Sequence, residues 1–434
     1  MSSEPLRIAY LLYRGNPHCG GQGVYTRYLA KELTDLGHQI TVLSGQPYPD
    51  LVHPEQLEEV PGLDLYRATN PFRVPWPHEF RDSIDVREFL IMGAAGYPEP
   101  WAFSMRARRL LQGRRHEFDL VHDNQTLGRG IVDMVHDGWP LVATLHHPIT
   151  VDRDLDLAHT SNPVRRTMLR RWYAFLDMQM EVARAIPRVL TVSESSRRDI
   201  VDQLGVPAEN LHVVPVGMDP SIFGPRPDIA RIPGRLMTTA SADVPLKGLA
   251  PLLEAVAKVR AERDDVHLVC VGRPKPKSKI PALIERLGLE GHVEFVKGVS
   301  TERIVELYAE AEVACVPSLY EGFSLPAVEA MACGMVMVGT TGGALPEVIG
   351  PDGESGLLVP PGDPDALAQA ILRALADPEL RARLSAAARE RALANFTWRK
   401  TAERTADHYR LTLEDHRAAA SSRRTGPSRE VDTA

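Results

Sequence analysis

The chain has 434 residues, of which 44% are hydrophobic and 25% charged, a composition typical of globular domains that excludes wholesale disorder. Its 50 Lys and Arg against 57 Asp and Glu leave a formal net charge of −7, which excludes the overall basic character of a nucleic-acid-binding protein. Four cysteines are too few for a disulfide scaffold, and neither a secretory signal nor a membrane-length apolar run is present, so we expect a cytoplasmic protein.

Short apolar runs alternate with helical patterns through the first half of the chain. Between the first two runs, Tyr25, Leu29 and Leu33 recur at helical spacing, and Gly37 ends the helix. Such an alternation predicts an α/β fold, a parallel sheet with helices on both faces. The runs that predict strands are residues 6–13, 39–43, 119–122, 141–145, 189–192 and 211–214.

The pattern restarts after a stretch rich in proline and glycine, residues 214–234, which predicts a linker. We expect a doubly wound, Rossmann-like domain over residues 1–213, a second over 235–395, a helix over 396–416 and a disordered tail over 417–434. Ligands of such sheets bind at the carboxyl ends of the strands, so the cleft between the domains is the expected site. The second set of strands is predicted at residues 236–239, 268–271, 293–296, 313–316 and 336–338.

A glycine cluster with Gly20 and Gly21 lies between the first strand and the first helix. Glycine lets backbone amides approach a phosphate, and the helix N-terminus adds a positive dipole end. The next strand ends in Ser44 and Gly45, without the acidic residue that binds a ribose in nicotinamide enzymes. A nicotinamide cofactor is therefore disfavoured, and a tight turn without a ligand explains the cluster equally well.

The most informative segment is residues 316–334, where a buried strand ends in a loop with Glu321. Ser324 is the predicted N-cap of the next helix, and Glu329 lies about one turn into that helix. The free amides of residues 323–325 would offer a positive end to a phosphate, and the two carboxylates would suit sugar hydroxyls. Alternatively, both acids only stabilise the helix dipole.

With its Glu-x7-Glu spacing, this segment resembles retaining GT-B glycosyltransferases of family 4. Four further motifs are similar to motifs of the family and follow one another in the same order along the chain. They are the glycine turn at residues 20–21, the linker at 216–219 and the glycine turns at 342–343 and 356–362. The resemblance covers about residue 6 to residue 410. It implies two Rossmann-like domains facing across a cleft, the first binding the acceptor and the second binding a nucleoside-diphosphate-sugar donor. It also implies a hexosyltransferase without metal or cofactor, whose C-terminal helix crosses back to the N-terminal domain.

The resemblance also implies roles for individual residues. Glu321 would face the donor sugar, Glu329 would hold the ribose hydroxyls, and Lys247 would clamp the diphosphate. His146, at the end of the strand at 141–145, would contact the donor sugar; without the resemblance, His146 and His147 would be a surface pair. The backbone groups implied at the donor belong to Gly20, Gly21, Phe323, Ser324 and Leu325.

The chain departs from the family pattern next to Lys247. Relatives carry an arginine five or six residues before this lysine, where Ser241 and Ala242 stand here. One cation fewer weakens charge neutralisation on the leaving diphosphate. Arg273 and Lys275 could compensate, although a solvated loop is the favoured interpretation for them.

Two basic stretches and one acidic stretch remain without a role. An anionic or lipid-linked acceptor, or peripheral contact with the inner face of a membrane, could use the basic stretches, but a solvated helix face is favoured. The acidic residues 152–156 are interpreted as a polar loop, and no metal site is expected. The basic stretches contain Arg106, Arg108, Arg109, Arg114 and Arg115, and Arg165, Arg166, Arg170 and Arg171.

Paired carboxylates also occur in glycoside hydrolases. Eight residues of continuous helix would separate Glu321 from Glu329 by about 12 Å, whereas hydrolases need about 5–5.5 Å or 6.5–9.5 Å. A non-catalytic sugar-nucleotide-binding protein and a GT-B-type sugar-nucleotide epimerase stay open as alternatives. The expected function is metal-independent, retaining transfer of a sugar from a nucleoside diphosphate to an acceptor that the sequence leaves open.

Overall fold

A computed structural model describes residues 4–16, 21–67, 70–71, 73–158, 160–240 and 244–425. The chain divides into two compact units, each with its own parallel sheet. Unit 1 comprises Met1–Thr191, Arg197–Val214 and Ala402–Ala434; unit 2 comprises Val192–Ser196 and Pro215–Thr401.

The first unit is built on a seven-stranded sheet. Its strands and a separate antiparallel pair, β4 and β5, are β1 (Arg7–Leu12), β2 (Gln39–Ser44), β3 (Leu57–Glu59), β4 (Tyr66–Arg67), β5 (Asn70–Pro71), β6 (Leu120–Asn124), β7 (Leu141–Leu145), β8 (Val189–Thr191) and β9 (Leu211–Val213). The helices of this part of the chain are α1 (Gly21–Asp35), α2 (Ser83–Gly93), α3 (Glu99–Gln112), α4 (Arg129–His136), α5 (Thr150–Ala158), α6 (Pro163–Trp172), α7 (Phe175–Ala185) and α8 (Glu194–Leu204).

The strand order of unit 1 is β3-β2-β1-β6-β7-β8-β9, with every pair parallel. Chain order reverses between β1 and β6, where Ile8 pairs with Ile40 on one side and with Leu120 on the other. In open parallel sheets, ligands bind beyond the carboxyl ends of the strands at such a reversal. The residues that follow β1, β6 and β7 therefore lie where a ligand of this unit is expected.

The second unit repeats this plan with six strands. They are β10 (Arg235–Thr238), β11 (His267–Val271), β12 (Val293–Val296), β13 (Val313–Val316), β14 (Val336–Thr340) and β15 (Leu357–Val359), in the parallel order β12-β11-β10-β13-β14-β15. The helices of this part of the chain are α9 (Leu249–Glu262), α10 (Ile280–Arg286), α11 (Thr301–Glu310), α12 (Leu325–Ala332), α13 (Leu345–Ile349), α14 (Pro364–Ala376), α15 (Pro378–Asn395) and α16 (Trp398–Thr425), and α16 belongs to unit 1 from Ala402 onward. The reversal falls between β10 and β13.

Both cores follow from the sequence pattern. In unit 1, the apolar strand β1 is buried, and Tyr25, Leu29 and Leu33 turn one face of α1 to the sheet. In unit 2, buried apolar side chains form two clusters. One includes Leu252 of α9 and the other includes Val328 of α12. Helices therefore cover both faces, as a parallel sheet that is apolar on both sides requires.

The structure corrects two predictions about helices. Helix α16 does not end at residue 416 but continues to Thr425, so the first half of the predicted tail is helical. Its run of alanines favours helix even without apolar periodicity; residues 426–434 lie outside the described residues. The predicted polar loop at residues 152–156 belongs to helix α5.

Within the described residues, no helix is both long and apolar enough to cross a membrane.

Candidate active site

Glu321 and Lys247 are direct partners in unit 2. The Lys247 ammonium group donates to both carboxylate oxygens of Glu321, with N···O distances of 2.8 and 2.9 Å. The hydroxyl of Ser318 donates to the same carboxylate at 2.7 Å, and Glu321 is only 7% exposed. Two residues that the sequence implied for different parts of the donor thus meet at the carboxyl ends of β10 and β13.

Gly248 explains why Lys247 reaches this position. Lys247 ends a short 3₁₀ turn, and Gly248 follows with a φ of +69°. A Cβ at Gly248 would lie 1.9 Å from the carbonyl oxygen of Pro317, so only glycine allows the turn to approach the end of β13. The backbone N–H of Leu319 also donates to the carbonyl of Leu246 at 2.7 Å.

The glycine turn at residues 342–343 supports the loop of Glu321 from the other side. The N–H of Ala344 donates to the carbonyl of Glu321 at 2.8 Å. A Cβ at Gly343, where φ is +63°, would lie 2.2 Å from that same carbonyl oxygen. This turn is therefore needed for the packing of two loops.

Two serines that the sequence analysis missed fix the peptide between Gly322 and Phe323. The hydroxyls of Ser193 and Ser196 donate to the carbonyl of Gly322 at 2.5 and 3.0 Å. In a trans peptide the N–H points opposite to the carbonyl, so the N–H of Phe323 points away from the serines. Ser193 also accepts a hydrogen bond from the N–H of Ser196, which is the N-cap pattern that could have drawn attention to it.

The start of helix α12 carries the predicted free amides. Ser324 is the N-cap residue, as predicted, although its buried side chain makes no capping hydrogen bond. Within the described part of the chain, no acceptor binds the N–H groups of Phe323, Ser324 or Leu325. The ring of Phe323 packs edge-on against Phe396, with centroids 5.9 Å apart. These amides can therefore receive an anionic or hydroxyl-bearing ligand.

Glu329 lies in the first turns of α12. It is half-buried, and burial raises the pKa of its carboxyl to about 7. Its neighbour Tyr308 does not bind it, because the Tyr308 hydroxyl donates to the carbonyl of Pro326 at 3.2 Å. The Glu329 carboxylate is thus an acceptor without a hydrogen-bond donor among the described residues, as hydroxyl binding requires.

A pocket opens at these strand ends in unit 2. The residues that line it come from the ends of β10 and β13, from the Lys247 turn and from the start of α12. They include Thr238, Ala240, Lys247, Ser318, Glu321 and Ser324.

His146 follows β7 in unit 1. Its Nε2 lies 2.8 Å from the Oδ1 of Asn124, and the Asn124 amide nitrogen in turn donates to Thr26 at 3.2 Å. With the amide in this orientation, Nε2 carries the proton and Nδ1 is the acceptor. Burial, and secondarily the neighbouring His147, lowers the pKa of His146 to about 3, so the ring is neutral at physiological pH. The edge of the Tyr25 ring packs against it at 4.6 Å.

Gln125 holds the backbone of both histidines and was not predicted. Its φ of +55° is unusual for a residue other than glycine. Its side-chain amide donates to the carbonyl of His147 at 2.8 Å and accepts from the N–H of His146 at 2.7 Å. Two adjacent polar residues at the end of a buried strand, Asn124 and Gln125, are the sequence signal for this support.

The structure describes some of the remaining glycine and basic residues that were predicted near the donor, but not others. Gly20, Ser241 and Ala242 lie outside the described residues. Gly21 is the exposed first residue of α1, and a Cβ there would meet nothing within 4 Å, so the protein itself does not require this glycine. Arg273 is exposed in the loop after β11.

The two basic stretches differ in their surroundings. The interpretation of the first as a solvated basic face is wrong for Arg106, which binds buried Asp85 and Glu88, whereas Arg109 and Arg115 are exposed. The other arginines of this stretch bind carboxylates or backbone carbonyls through Arg108–Asp137, Arg109–Asp82, Arg114–Glu58 and Arg115–Gly138. The four arginines of α6 are exposed, as expected for a solvated face.

Comparisons with known proteins fit this geometry. Residues 234–391 match the family model "Glycosyl transferases group 1", and residues 19–222 match "Glycosyltransferase Family 4". The chain is 51% identical over 409 residues to the MMP alpha-(1->4)-mannosyltransferase of Mycolicibacterium hassiacum, covering 94% of this chain and 98% of that one. It is 30% identical over 446 residues to the D-inositol 3-phosphate glycosyltransferase of Acidothermus cellulolyticus, covering 96% and 93%.

Solved structures share the fold at low identity. Sucrose-phosphate synthase from Thermosynechococcus elongatus has a TM-score of 0.69 at 22% identity, covering 94% of this chain and all of that one. HepE from Anabaena, solved in complex with UDP, has a TM-score of 0.66 at 21% identity, covering 93% and 99%.

The two doubly wound units and these matches define a GT-B glycosyltransferase. The chain belongs to glycosyltransferase family 4, as both family models and the 51% identical relative show. The predicted fold, the family and the hexosyltransferase activity are thereby confirmed.

Proposed function

We propose that this enzyme is a retaining α-mannosyltransferase that moves mannose from a nucleoside diphosphate to the 4-hydroxyl of a saccharide, without a metal ion. The assignment of the donor site rests on one observation. Lys247 and Ser318 both donate to Glu321 in one pocket, beside free amides. The mannosyl group and the 4-hydroxyl rest on the 51% identical relative, whose name is alpha-(1->4)-mannosyltransferase.

Different parts of the donor would be bound by residues of the pocket, by Glu329 and by His146. The Lys247 cation and the amides at the start of α12 would stabilise the diphosphate as its charge grows. Glu321 would face the developing positive charge on the sugar, and Glu329 would accept the ribose hydroxyls. In unit 1, the neutral His146 would offer Nδ1 to a hydroxyl of the sugar.

The bond changes balance without a protein nucleophile. The bond between C1 of mannose and the phosphate oxygen breaks, and a new bond from C1 to the acceptor oxygen forms on the same face. The proton of the acceptor hydroxyl passes to the leaving phosphate oxygen. The protein contributes positioning and charge stabilisation.

Metal independence is supported by the donor set. Within the described ranges, no three His, Cys, Asp or Glu side chains are grouped so that they could hold a metal. A lysine and backbone amides are the groups on hand for the diphosphate. We therefore expect transfer to survive chelation.

The test is incubation with GDP-, UDP- and ADP-linked sugars, with and without EDTA, followed by NMR of the product. We expect an α-linked mannoside bonded at O4 and the same rate with EDTA. A β-linked product would contradict retention, loss of activity that Mg²⁺ or Mn²⁺ restores would contradict metal independence, and exclusive use of another sugar would contradict the mannosyl assignment.

A further inference from the structure

Four aromatic rings cluster beside the end of strand β1 in unit 1. Trp172 lies at the centre, with its ring centroid 5.3 Å from that of Tyr66 and 5.0 Å from that of Tyr97. Phe175 extends the cluster, 5.3 Å from Tyr97. We call these four residues the aromatic platform.

Arg14 ties the aromatic platform to the edge of the sheet where a ligand is expected. It follows β1 by two residues, and its guanidinium group lies 5.6 Å from the centre of the Tyr66 ring. The same group donates to the backbone carbonyl of Tyr66 at 3.4 Å. Since β1 and β7 are parallel strands of one sheet, the platform borders the same edge as His146.

One side of the platform is packed and another is open. Trp172 packs against the buried cluster of Leu63, Leu65 and Met92, which holds its ring in place. Tyr66 is 37% exposed, and Tyr97 is half-buried. An aromatic surface held rigidly from behind can bind a ligand at little cost in side-chain entropy.

Polar side chains surround the aromatic platform. The hydroxyl of Tyr97 donates to Glu99 at 2.6 Å, and Arg14 donates to both oxygens of Glu99 at 2.8 and 2.9 Å. On the other flank, the hydroxyl of Tyr173 donates to Asp156 at 2.7 Å. Glu99 is buried and already accepts the hydrogen bonds of Arg14 and Tyr97, whereas Asp156 is exposed. The rings therefore have one accessible carboxylate beside them, that of Asp156.

We propose that the aromatic platform is a subsite for a neutral saccharide acceptor, remote from the reacting hydroxyl. The apolar C–H face of a sugar ring stacks on aromatic rings, and a sugar hydroxyl can donate to the exposed carboxylate of Asp156. This inference rests on the proposed transfer to a saccharide and adds where the acceptor chain lies. The Arg14–Glu99 ion pair beside the rings carries no net charge, which is compatible with a neutral chain.

The test compares short and long acceptors. Methyl α-mannoside occupies the reacting position alone, whereas a mannotetraoside extends to more distant subsites. We expect Tyr66→Ala and Trp172→Ala to raise KM for the tetraoside about tenfold, with no change for the monosaccharide or the donor. Trp172→Phe keeps an aromatic ring and should restore most of the affinity. Trp76→Ala is the matched control, since Trp76 is 71% exposed and lies outside the platform.

Because Trp172 also packs on a core, its variants need a control for folding. Thermal unfolding and slow hydrolysis of the donor provide that control. If Trp172→Ala unfolds, the tetraoside KM of Tyr66→Ala alone tests the subsite, because the Tyr66 ring is more exposed. Equal tetraoside KM values in Tyr66→Ala and wild type would overturn the subsite, as would a wild type that transfers only to phosphorylated acceptors. A wild type that uses no mannosyl donor would instead overturn the proposed function.

Discussion

The ammonium nitrogen of Lys247 is held between the two carboxylate oxygens of Glu321, at 2.8 and 2.9 Å. The ion pair joins residues 74 positions apart and is completed by the Ser318 hydroxyl on Glu321. A diphosphate competes for the same ammonium group. We therefore expect donor binding to draw Lys247 toward the phosphates and to leave the carboxylate of Glu321 to the sugar.

Lys247→Ala tests this relationship. Loss of the cation should raise the activation free energy by about 3 kcal/mol, because a preorganised charge at the leaving group is removed. This corresponds to a roughly hundredfold fall in kcat/KM. The matched control is Lys258→Ala, since Lys258 forms an exposed ion pair with Asp365 and should leave kinetics unchanged. Steady-state kinetics with the mannosyl donor check both variants. Unchanged kcat/KM in Lys247→Ala would show that the ion pair does not serve the donor.

Glu321→Gln and Glu329→Gln should separate catalysis from binding. A group that acts only in the transition state lowers kcat when it is neutralised, whereas a group that binds substrate and transition state equally raises KM. We expect Glu321→Gln to lower kcat about a hundredfold with little change in donor affinity. We expect Glu329→Gln to raise the KM of the donor about tenfold and to weaken binding of the free nucleoside diphosphate.

Glutamine preserves side-chain shape in both variants, so misfolding is an unlikely source of the difference. Titration calorimetry with the nucleoside diphosphate supplies the binding half of the comparison. Full turnover in Glu321→Gln together with lost turnover in Glu329→Gln would reverse the two assignments.

His146→Ala should weaken use of the donor sugar more than His147→Ala does. His146 is half-buried, Asn124 holds its ring in one tautomer and Gln125 holds its backbone N–H, whereas His147 is exposed. We expect a fall of about tenfold or more in kcat/KM for the first and none for the second. Gln125→Ala removes both backbone contacts and should behave as a weaker version of His146→Ala. Equal activity of the His146 and His147 variants would contradict the assignment.

Much of the fold could be predicted because apolar runs and glycine stops are local signals. The strands at residues 141–145, 293–296 and 313–316 have the predicted bounds. The short strands β3 and β15 were missed, since three residues are too few for a pattern to stand out.

Individual residues of the candidate site could be singled out from the sequence, but the contacts between them could not. Local spacing singled out Glu321 and the family resemblance singled out Lys247, yet their ion pair depends on a close approach that Gly248 permits beside Pro317. Likewise, the hydroxyls of Ser193 and Ser196 act on a carbonyl more than 120 residues away. Such tertiary contacts leave no periodic trace in the sequence.

The raised pKa of Glu329, about 7, should make donor affinity depend on pH. The ribose hydroxyls donate hydrogen bonds to a carboxylate, so the donor binds the ionised form and binding favours deprotonation. We therefore expect the KM of the donor to fall as pH rises through about 7 and to level off above it. Below that value, KM should rise by up to about tenfold per pH unit.

Glu329→Gln supplies the control, because it cannot titrate and its donor KM should lack this step. Stability gives an independent measurement. The folded pKa of about 7 exceeds the ordinary value of 4.5, so the contribution of Glu329 to stability is full below pH 4.5 and is lost as pH rises through 7. The Tm of Glu329→Gln relative to wild type should therefore increase between pH 5 and pH 8. A Tm difference that is constant with pH, together with a flat KM profile, would mean that Glu329 is already ionised at acidic pH.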